Sequence, residues 1–400
     1  MKDQIIKFLA YDGKISVTCI STTNMVEEAR KIHDLSPLAT AVMGRILTIT
    51  ALIGADMKND TDKLTIQIKG NGPVGKIVAV ADNTPRVKAC IAEPHVELPL
   101  NEFGKLDVGG AVGNEGFINV IKDIGLKEPY IGVSPLMSGE IAEDFANYFQ
   151  TSEQKQTAVA LGVLVDKNGV RSSGGYIICP MPDATDEEIS KVEKAIFEAG
   201  AMSRMLDNNL TLEEIAKKVT GDKKAKVIDT SKEPKYECEC NKQRFADGLM
   251  TLGKEQLTEL IEEDGKAEIK CQFCNKVYNF NKEELEEIFN TRIMDKEQAL
   301  QYAELLQEKG AKNVIVSMGG QGAVYIDENG YTYKMDALRN PNSKIINTVG
   351  AGDSMVAGFI AGYELFKNHD KAFRMGMAAG AATVNSEFLA TKEEIYELLK

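Results

Sequence analysis

No stretch of this chain is apolar for the length of a bilayer, and its start, MKDQIIKFLAYDG, has a charged head, a short apolar stretch and no small-residue cleavage site. Neither a membrane span nor a secretion signal is expected, and the expected address is cytoplasmic. Positive charge is also short, with 47 Lys and Arg against 60 Asp and Glu and a formal charge of -13. Nucleic acid and anionic membrane are bound through clustered Lys and Arg, so neither is an expected partner. Histidine is scarcer still, at three in 400 residues. His33 and His95 lie far apart, and no Ser or Cys motif beside a base stands out in residues 1–288, so that region offers no catalytic constellation.

Cysteine is what the chain does have. Of its seven, Cys19, Cys90 and Cys179 stand singly in apolar surroundings and read as buried core residues. The other four come as Cys238-x-Cys240 and Cys271-x-x-Cys274. In a chain without a secretion signal, close cysteines read as metal ligands or redox thiols before they read as structural bridges. Four soft ligands arriving as two local pairs suit tetrahedral Zn²⁺, and the same thiolates can instead pair as disulfides. From the cysteines alone, an inert zinc ribbon is the plainer reading and a redox switch the sharper one.

The chain has the length of several domains, and its patterns change along it. KFLAY and KISVTCIS flank an Asp12-Gly13 turn as a hairpin, while Leu64, Ile66 and Ile68 alternate as a half-buried strand. Ser36 through Leu52 is apolar on most sides and predicts a buried helix. GEIAEDFANYFQTSEQ predicts another helix, and TAVALGVLVDKNGVRSSGGYIIC a strand pair around Asn168-Gly169. Residues 1–179 are thus expected to be one α+β domain. In 180–231, Thr185 with Glu188 and Thr211 with Glu214 form capping boxes and no strand pattern survives, which predicts a helical linker. Residues 232–288 carry the four cysteines on a unit too small for a core of its own, so a metal would supply folding energy on the order of 10 kcal/mol. From 289 to 400 a helix (295–309), a strand (313–317), a Gly-rich turn, a strand (323–327) and further helices predict part of an α/β layered fold. The expected fold class is multi-domain α+β with this partial α/β segment at the end.

Residues 1–288 resemble the 33 kDa chaperonin family, the redox-regulated heat shock protein 33, through IKGNGPVGKIVAVAD, VSPLMSGEIAEDFANYFQTSEQ, TAVALGVLVD, CECNKQRFADGL and CQFCNKVYNF. The resemblance implies an ATP-independent holdase that is zinc-bound and idle when reduced, and that binds unfolded or oxidatively damaged proteins when oxidant and mild unfolding act together. It implies a homodimer in the active state. Disulfides Cys238–Cys240 and Cys271–Cys274 would eject zinc and unfold a module that cannot stand without it. The linker would loosen with it, and Ile189, Val192, Ile196 and Phe197, set at helical spacing, would become available to clients.

The remaining segment resembles the C-terminal portion of 1-phosphofructokinases in the ribokinase-like sugar kinase superfamily, through VIVSMGGQGAVYI and NTVGAGDSMVAGF. That resemblance implies an anion hole from the backbone of Gly350, Ala351 and Gly352, a general base at Asp353, and a nucleotide pocket lined by Ser317, Gly319 and Gly322, with ATP and Mg²⁺ as cofactors. The family's sugar-binding N-terminal portion has no counterpart in residues 1–288, so Asp353 would have no sugar to deprotonate. EELEEIF, residues 283–289, suits both families, and Asn281 and Glu284 keep the spacing of an Asn-x-x-Glu motif that precedes it in the kinases. The two sequences read as a fusion or an assembly artefact at a shared string.

Overall fold

The structure is a computed structural model that describes residues 2–126, 128–249, 266–290, 295–308, 310–338, 345–346, 348, 350–386 and 388–399. The chain divides into two compact units, Met1–Arg244 with Glu268–Asn279, and Phe245–Ala267 with Phe280–Lys400.

The first unit opens with the expected hairpin, β1 (Gln4–Ala10) and β2 (Ile15–Ser21). Helices α1 (Thr23–His33) and α2 (Pro37–Gly54) follow, then β3 (Lys63–Lys69), β4 (Ile77–Asp82) and β5 (Arg86–Ile91). Next come the short α3 (Val108–Val112), β6 (Phe117–Asp123), β7 (Tyr130–Pro135), α4 (Ala142–Thr151), β8 (Ala158–Asp166) and β9 (Gly169–Pro180). Three helices, α5 (Asp186–Ala199), α6 (Met202–Asp207) and α7 (Leu212–Thr220), lead to β10 (Lys226–Lys232) and β11 (Lys235–Tyr236); α8 (Lys242–Leu249), β12 (Lys266–Lys270) and β13 (Val277–Asn281) each have residues in both units, and the turn between β12 and β13 that holds the second cysteine pair belongs to the first.

Two sheets enclose α2. One runs β10-β1-β2-β9-β8 and the other β11-β5-β4-β3-β6-β7. α2 packs on β8 and β9 of the first and on β3, β4 and β5 of the second, which is why its sequence is apolar on most sides. Ser36 Oγ accepts the Ala39 N–H at 3.2 Å and Pro37 occupies the first turn, so the helix start is fixed locally. Its buried hydroxyls stay satisfied within the helix, as Thr48 donates to the Gly44 carbonyl at 2.7 Å and Thr50 to that of Ile46 at 2.6 Å. By length and composition α2 could cross a bilayer, contrary to the sequence expectation, but it is almost wholly buried inside the protein. An apolar helix enclosed by two sheets meets the same compositional test as a membrane span.

The opposite face of the first sheet is covered by the linker. Phe8, Val17, Cys19, Tyr176 and Ile178 pack against Val192, Met202, Met205, Leu212, Ile215 and Val219. Both capping boxes form, with Glu188 N–H to Thr185 Oγ1 at 3.3 Å and Glu214 N–H to Thr211 Oγ1 at 3.2 Å. Three expectations change. The linker ends in a strand, β10, which pairs antiparallel with β1 and places Val227 opposite Phe8. KVIDTSK hides this because an edge strand tolerates the Lys and Asp that break an apolar pattern. Within the helical stripe, Val192 is buried and Ile196 packs on the sheet, but Phe197 is 90% exposed and covers nothing. Of the three single cysteines only Cys19 is fully buried, while Cys90 and Cys179 are half-buried.

The second unit contains α9 (Lys282–Asn290), α10 (Lys296–Glu308), an antiparallel sheet of β14 (Val314–Ser317), β15 (Ala323–Ile326) and β16 (Thr332–Met335), and the helices α11 (Ala351–Phe366), α12 (His369–Val384) and α13 (Lys392–Glu397). α10 packs on β14 and β15, and α11 lies along α12. Lys309, at the expected end of α10, lies outside the described residues. Asn281 and Glu284 cap each other's backbone, at 3.0 and 2.9 Å, and so start α9.

Gly44 is the tightest point between α2 and its neighbours, because a Cβ there would lie 2.6 Å from Val163 Cγ2 and 2.9 Å from Val26 Cγ1. Gly44→Leu is expected to cost about 1–3 kcal/mol by overpacking, read as a lower urea midpoint for the first unit.

Candidate metal centre

Cys238 and Cys240 follow β11, and that two-residue strand fixes where they lie. It joins β5 in parallel, with Lys235 beside Arg86 and Tyr236 beside Val87, and the Glu237 N–H donates to the Val87 carbonyl at 2.9 Å. Cys271 and Cys274 sit in the turn between β12 and β13. The Asn275 N–H closes that turn on the Cys271 carbonyl at 2.9 Å, and the Cys271 N–H on that of Lys276 at 2.9 Å. Asn275 takes the left-handed conformation the turn requires, with φ 57°.

The four sulfurs converge to within 4.8 Å of one another. Cys238 Sγ is 3.8 Å from Cys271 Sγ and Cys240 Sγ is 3.2 Å from Cys274 Sγ, and all are free thiols. A tetrahedron of thiolates at about 2.3 Å from a central ion has edges of about 3.8 Å, so the donor set fits Zn²⁺ in number, chemistry and spread. Cys271 is buried and the other three are half-buried.

The sulfurs differ electrostatically. Burial pushes the Cys240 thiol up, but hydrogen bonds from Tyr278 and from the other three cysteines outweigh it and bring the thiol down to about 7. Burial raises Cys274 to about 12 and raises Cys238 as well, against the backbone N–H groups of Lys276 and Cys240 that favour their thiolates.

The centre is tied to the core by residues that the sequence reading passed over. The Tyr236 hydroxyl lies 2.8 Å from His33 Nε2 and 3.0 Å from the Ala89 carbonyl, and donates to the Phe273 carbonyl between Cys271 and Cys274. His33 Nε2 is itself 3.1 Å from that carbonyl. Burial lowers the His33 pKa, so the ring is neutral. His33 supports the centre through these bonds and is not among the four converging donors, and His95 pairs elsewhere, with Asp34 at 3.2 Å. Asn275 Nδ2 donates to the Ile32 carbonyl, Arg86 pairs with Glu239, and Lys88 Nζ sits 5.4 Å over the Phe273 ring. The one local signal for these groups is Tyr236, two residues before the first ligand.

In the second unit, Ser317, Gly319, Gly322, Ala351 and Gly352 line one cavity of about 540 Å³ together with Met355 and Met377. Gly322 has φ +100°, and a Cβ there would strike the Met335 carbonyl oxygen at 2.0 Å. Gly350 precedes α11 with φ 81°, and Asp353 stands exposed in the first turn of that helix. Asn347 and Val349 of the same motif lie outside the described residues.

Comparison with known proteins divides the chain in the same way. Residues 3–281 match the family model for the Hsp33 protein, and residues 276–394 match that for the pfkB family of carbohydrate kinases, so the two matches share residues 276–281, slightly before the string that suits both sequences. Over 288 residues the chain is 46% identical to the 33 kDa chaperonin of Clostridioides difficile (strain 630), covering 72% of this chain and 99% of that protein. The crystal structure of the 33 kDa chaperonin, a heat shock protein 33 homolog, from Thermotoga maritima aligns with a TM-score of 0.67 at 38% identity, over 72% of this chain and 98% of that one. Phosphofructokinase-2 from Escherichia coli aligns with a TM-score of 0.24 at 26% identity, over 29% of this chain and 37% of that one.

Removing the Tyr236 hydroxyl strands buried carbonyls at the tie between centre and core. Tyr236→Phe is expected to cost about 1–3 kcal/mol there, read as faster amide exchange in β11 and in residues 271–275 while the metal stays bound.

Proposed function

This chain belongs to the Hsp33 family of 33 kDa chaperonins, and from that premise we propose that it is a cytoplasmic, redox-regulated holdase whose switch is the Cys238, Cys240, Cys271 and Cys274 centre. The family makes it a chaperone that binds unfolded proteins. The observation that carries the switch reading is the convergence of four free thiols from two distant loops on a module that hydrogen bonds and ion pairs hold to the core.

Bound Zn²⁺ would hold all four cysteines as thiolates and supply folding energy to the module. Oxidation spends those thiolates. One sulfur attacks a peroxide oxygen, an S–O bond forms, the O–O bond breaks, and hydroxide leaves to take up a proton. A second thiolate then attacks the sulfenic sulfur, the disulfide forms, and the oxygen departs as water after protonation. Each disulfide consumes one hydrogen peroxide and two protons and yields two waters. The pairs we propose are Cys238–Cys240 and Cys271–Cys274, which close very small loops and restore little of the constraint lost with the metal.

The linker supplies the output. The α5–α7 segment covers Phe8, Val17, Tyr176 and Ile178 on one face of the first sheet, and its release would uncover a flat apolar surface suited to unfolded chains. The oxidised form is proposed to act as a homodimer. In this reading the domains are a core at 1–179, the linker at 180–231 and the cysteine module at 232–288, with 289–400 appended.

A second reading is favoured by one observation, the shared cavity of Ser317, Gly319, Gly322, Ala351 and Gly352. It would make the segment an ATP-dependent 1-phosphofructokinase using Mg²⁺, with Asp353 as base and the backbone from Gly350 to Gly352 as anion hole. We propose that it does not turn over, because a base and an anion hole without substrate positioning forfeit most of a rate enhancement. With fructose 1-phosphate, ATP and Mg²⁺, no ADP formation above the Asp353→Asn background is expected. Turnover that Asp353→Asn abolishes would overturn this.

For the holdase, the reduced chain is expected to contain one zinc, to lose it on peroxide treatment, and then to suppress aggregation of a heat-unfolded client. Zinc analysis and light scattering before and after peroxide check it. Retained zinc with no gain in suppression would sink the proposal, and loss of zinc without that gain would reduce the centre to a static ribbon.

A further inference from the structure

The two cysteine pairs are alike in sequence chemistry, but the structure surrounds the four sulfurs differently. Cys238 and Cys274 are approached by backbone N–H groups, those of Cys240 and Lys276. Cys240 instead has a side-chain hydroxyl, as Tyr278 Oη lies 3.2 Å from its Sγ and 2.9 Å from its carbonyl oxygen. Tyr278 belongs to β13, which follows the Cys271–Cys274 turn, so its hydroxyl reaches from one half of the centre to the other. We propose that Tyr278 is a positioning residue whose hydroxyl donates to Cys240 Sγ and sets how readily an oxidant attacks that sulfur.

A phenolic oxygen carries one proton, and here the Cys240 carbonyl oxygen and, when it is a thiolate, the Cys240 sulfur compete for it. While Cys240 is a thiolate, its sulfur is a charged acceptor and the bond is charge-assisted. The electron pair that would attack a peroxide oxygen is then partly engaged, and the reduced, metal-holding state is favoured. Once Cys240 has formed its S–O bond and then a disulfide, its sulfur is a poor acceptor and the proton is left to the carbonyl. Tyr278 therefore stabilises the state that oxidation removes and acts as a brake on the first step. Partners beyond the ligands tune metal sites in this way, by hydrogen bonding to a ligand atom and changing its basicity.

This rests on the proposed zinc switch, and the test separates the two. In the full-length reduced chain, zinc is first counted in the wild type, since a wild type that binds none removes the switch itself. Tyr278→Phe then keeps the ring and deletes the donor. Peroxide-driven zinc release, followed with a metallochromic indicator, is expected to be about tenfold faster, the scale on which outer partners matter at metal sites. The thiolate-to-metal charge-transfer band of the Co²⁺-substituted protein is expected to shift to lower energy. Placing 3-fluorotyrosine, a stronger donor, at position 278 should move both readouts the opposite way, which a packing role cannot do. Unchanged release and an unchanged band in Tyr278→Phe would overturn the proposal. So would equal or faster release with 3-fluorotyrosine, and this arm decides the matter if the Phe variant holds no metal.

Discussion

Four thiolates within 4.8 Å of one another repel unless a cation sits among them or protons neutralise them. That single constraint organises the region after the linker. A short loop bearing Cys238 and Cys240 and a tight turn bearing Cys271 and Cys274 meet sulfur to sulfur. What holds them otherwise is modest: a two-residue parallel strand, the Tyr236 hydroxyl shared among His33, Ala89 and Phe273, the Asn275 amide on Ile32, and a few exposed ion pairs. Exposed ion pairs are worth little, and a handful of hydrogen bonds contributes a few kcal/mol at most. A thiolate zinc site would be worth more than these together, so in the proposed switch occupancy at the sulfurs would govern whether the module stays ordered.

The first sheet has two apolar faces with different fates. Toward α2 it packs on a helix that the second sheet encloses from the other side, and close approaches at Gly44 leave no room for repacking. That face cannot open without unfolding the unit. The other face meets three helices, of which α5 and α7 start on their own capping boxes, and their grip is mainly the packing of side chains such as Val192, Met205 and Val219. In the proposed switch such a cover would leave as a piece while the sheet beneath persists, the behaviour of a subglobal opening unit. Phe197, fully turned to solvent in the closed state, lies on the outside of this cover, so the surface that opening would create is that of the sheet residues.

The sequence disclosed whatever was encoded locally. The β1–β2 hairpin turns on Asp12 and Gly13, the capping boxes span three residues, and the ligand pairs announce themselves within two motifs. Each is a short-range relation, and each appears in the structure where it was expected. β10 was missed because its partner, β1, lies more than two hundred residues away and supplies the ladder that its own composition does not predict. His33, Tyr236 and Tyr278 were missed for the same reason: a hydroxyl on a sulfur or a ring nitrogen under a turn is a tertiary fact, and apart from the place of Tyr236 two residues before Cys238 nothing in their spacing distinguishes them from ordinary core aromatics. α2 shows the converse limit, since composition alone could not separate a helix enclosed by two sheets from one enclosed by lipid.

The appended kinase-like segment separates local from distributed function in the same terms. Its phosphate-side geometry is local. Gly322 must be glycine because the Met335 carbonyl occupies the place of a Cβ, and Gly350 sits in the left-handed region at the start of α11, so the cavity forms wherever that sequence folds. Positioning a sugar hydroxyl against Asp353 is distributed, because it needs groups from elements that lie far from Asp353 in sequence. On the proposed reading, a fragment would keep the shape of a nucleotide site while losing the reaction. The cysteine centre is the opposite case: its four sulfurs come from two distant loops, but both loops are in this chain, and the chemistry proposed for it would need no other element to begin.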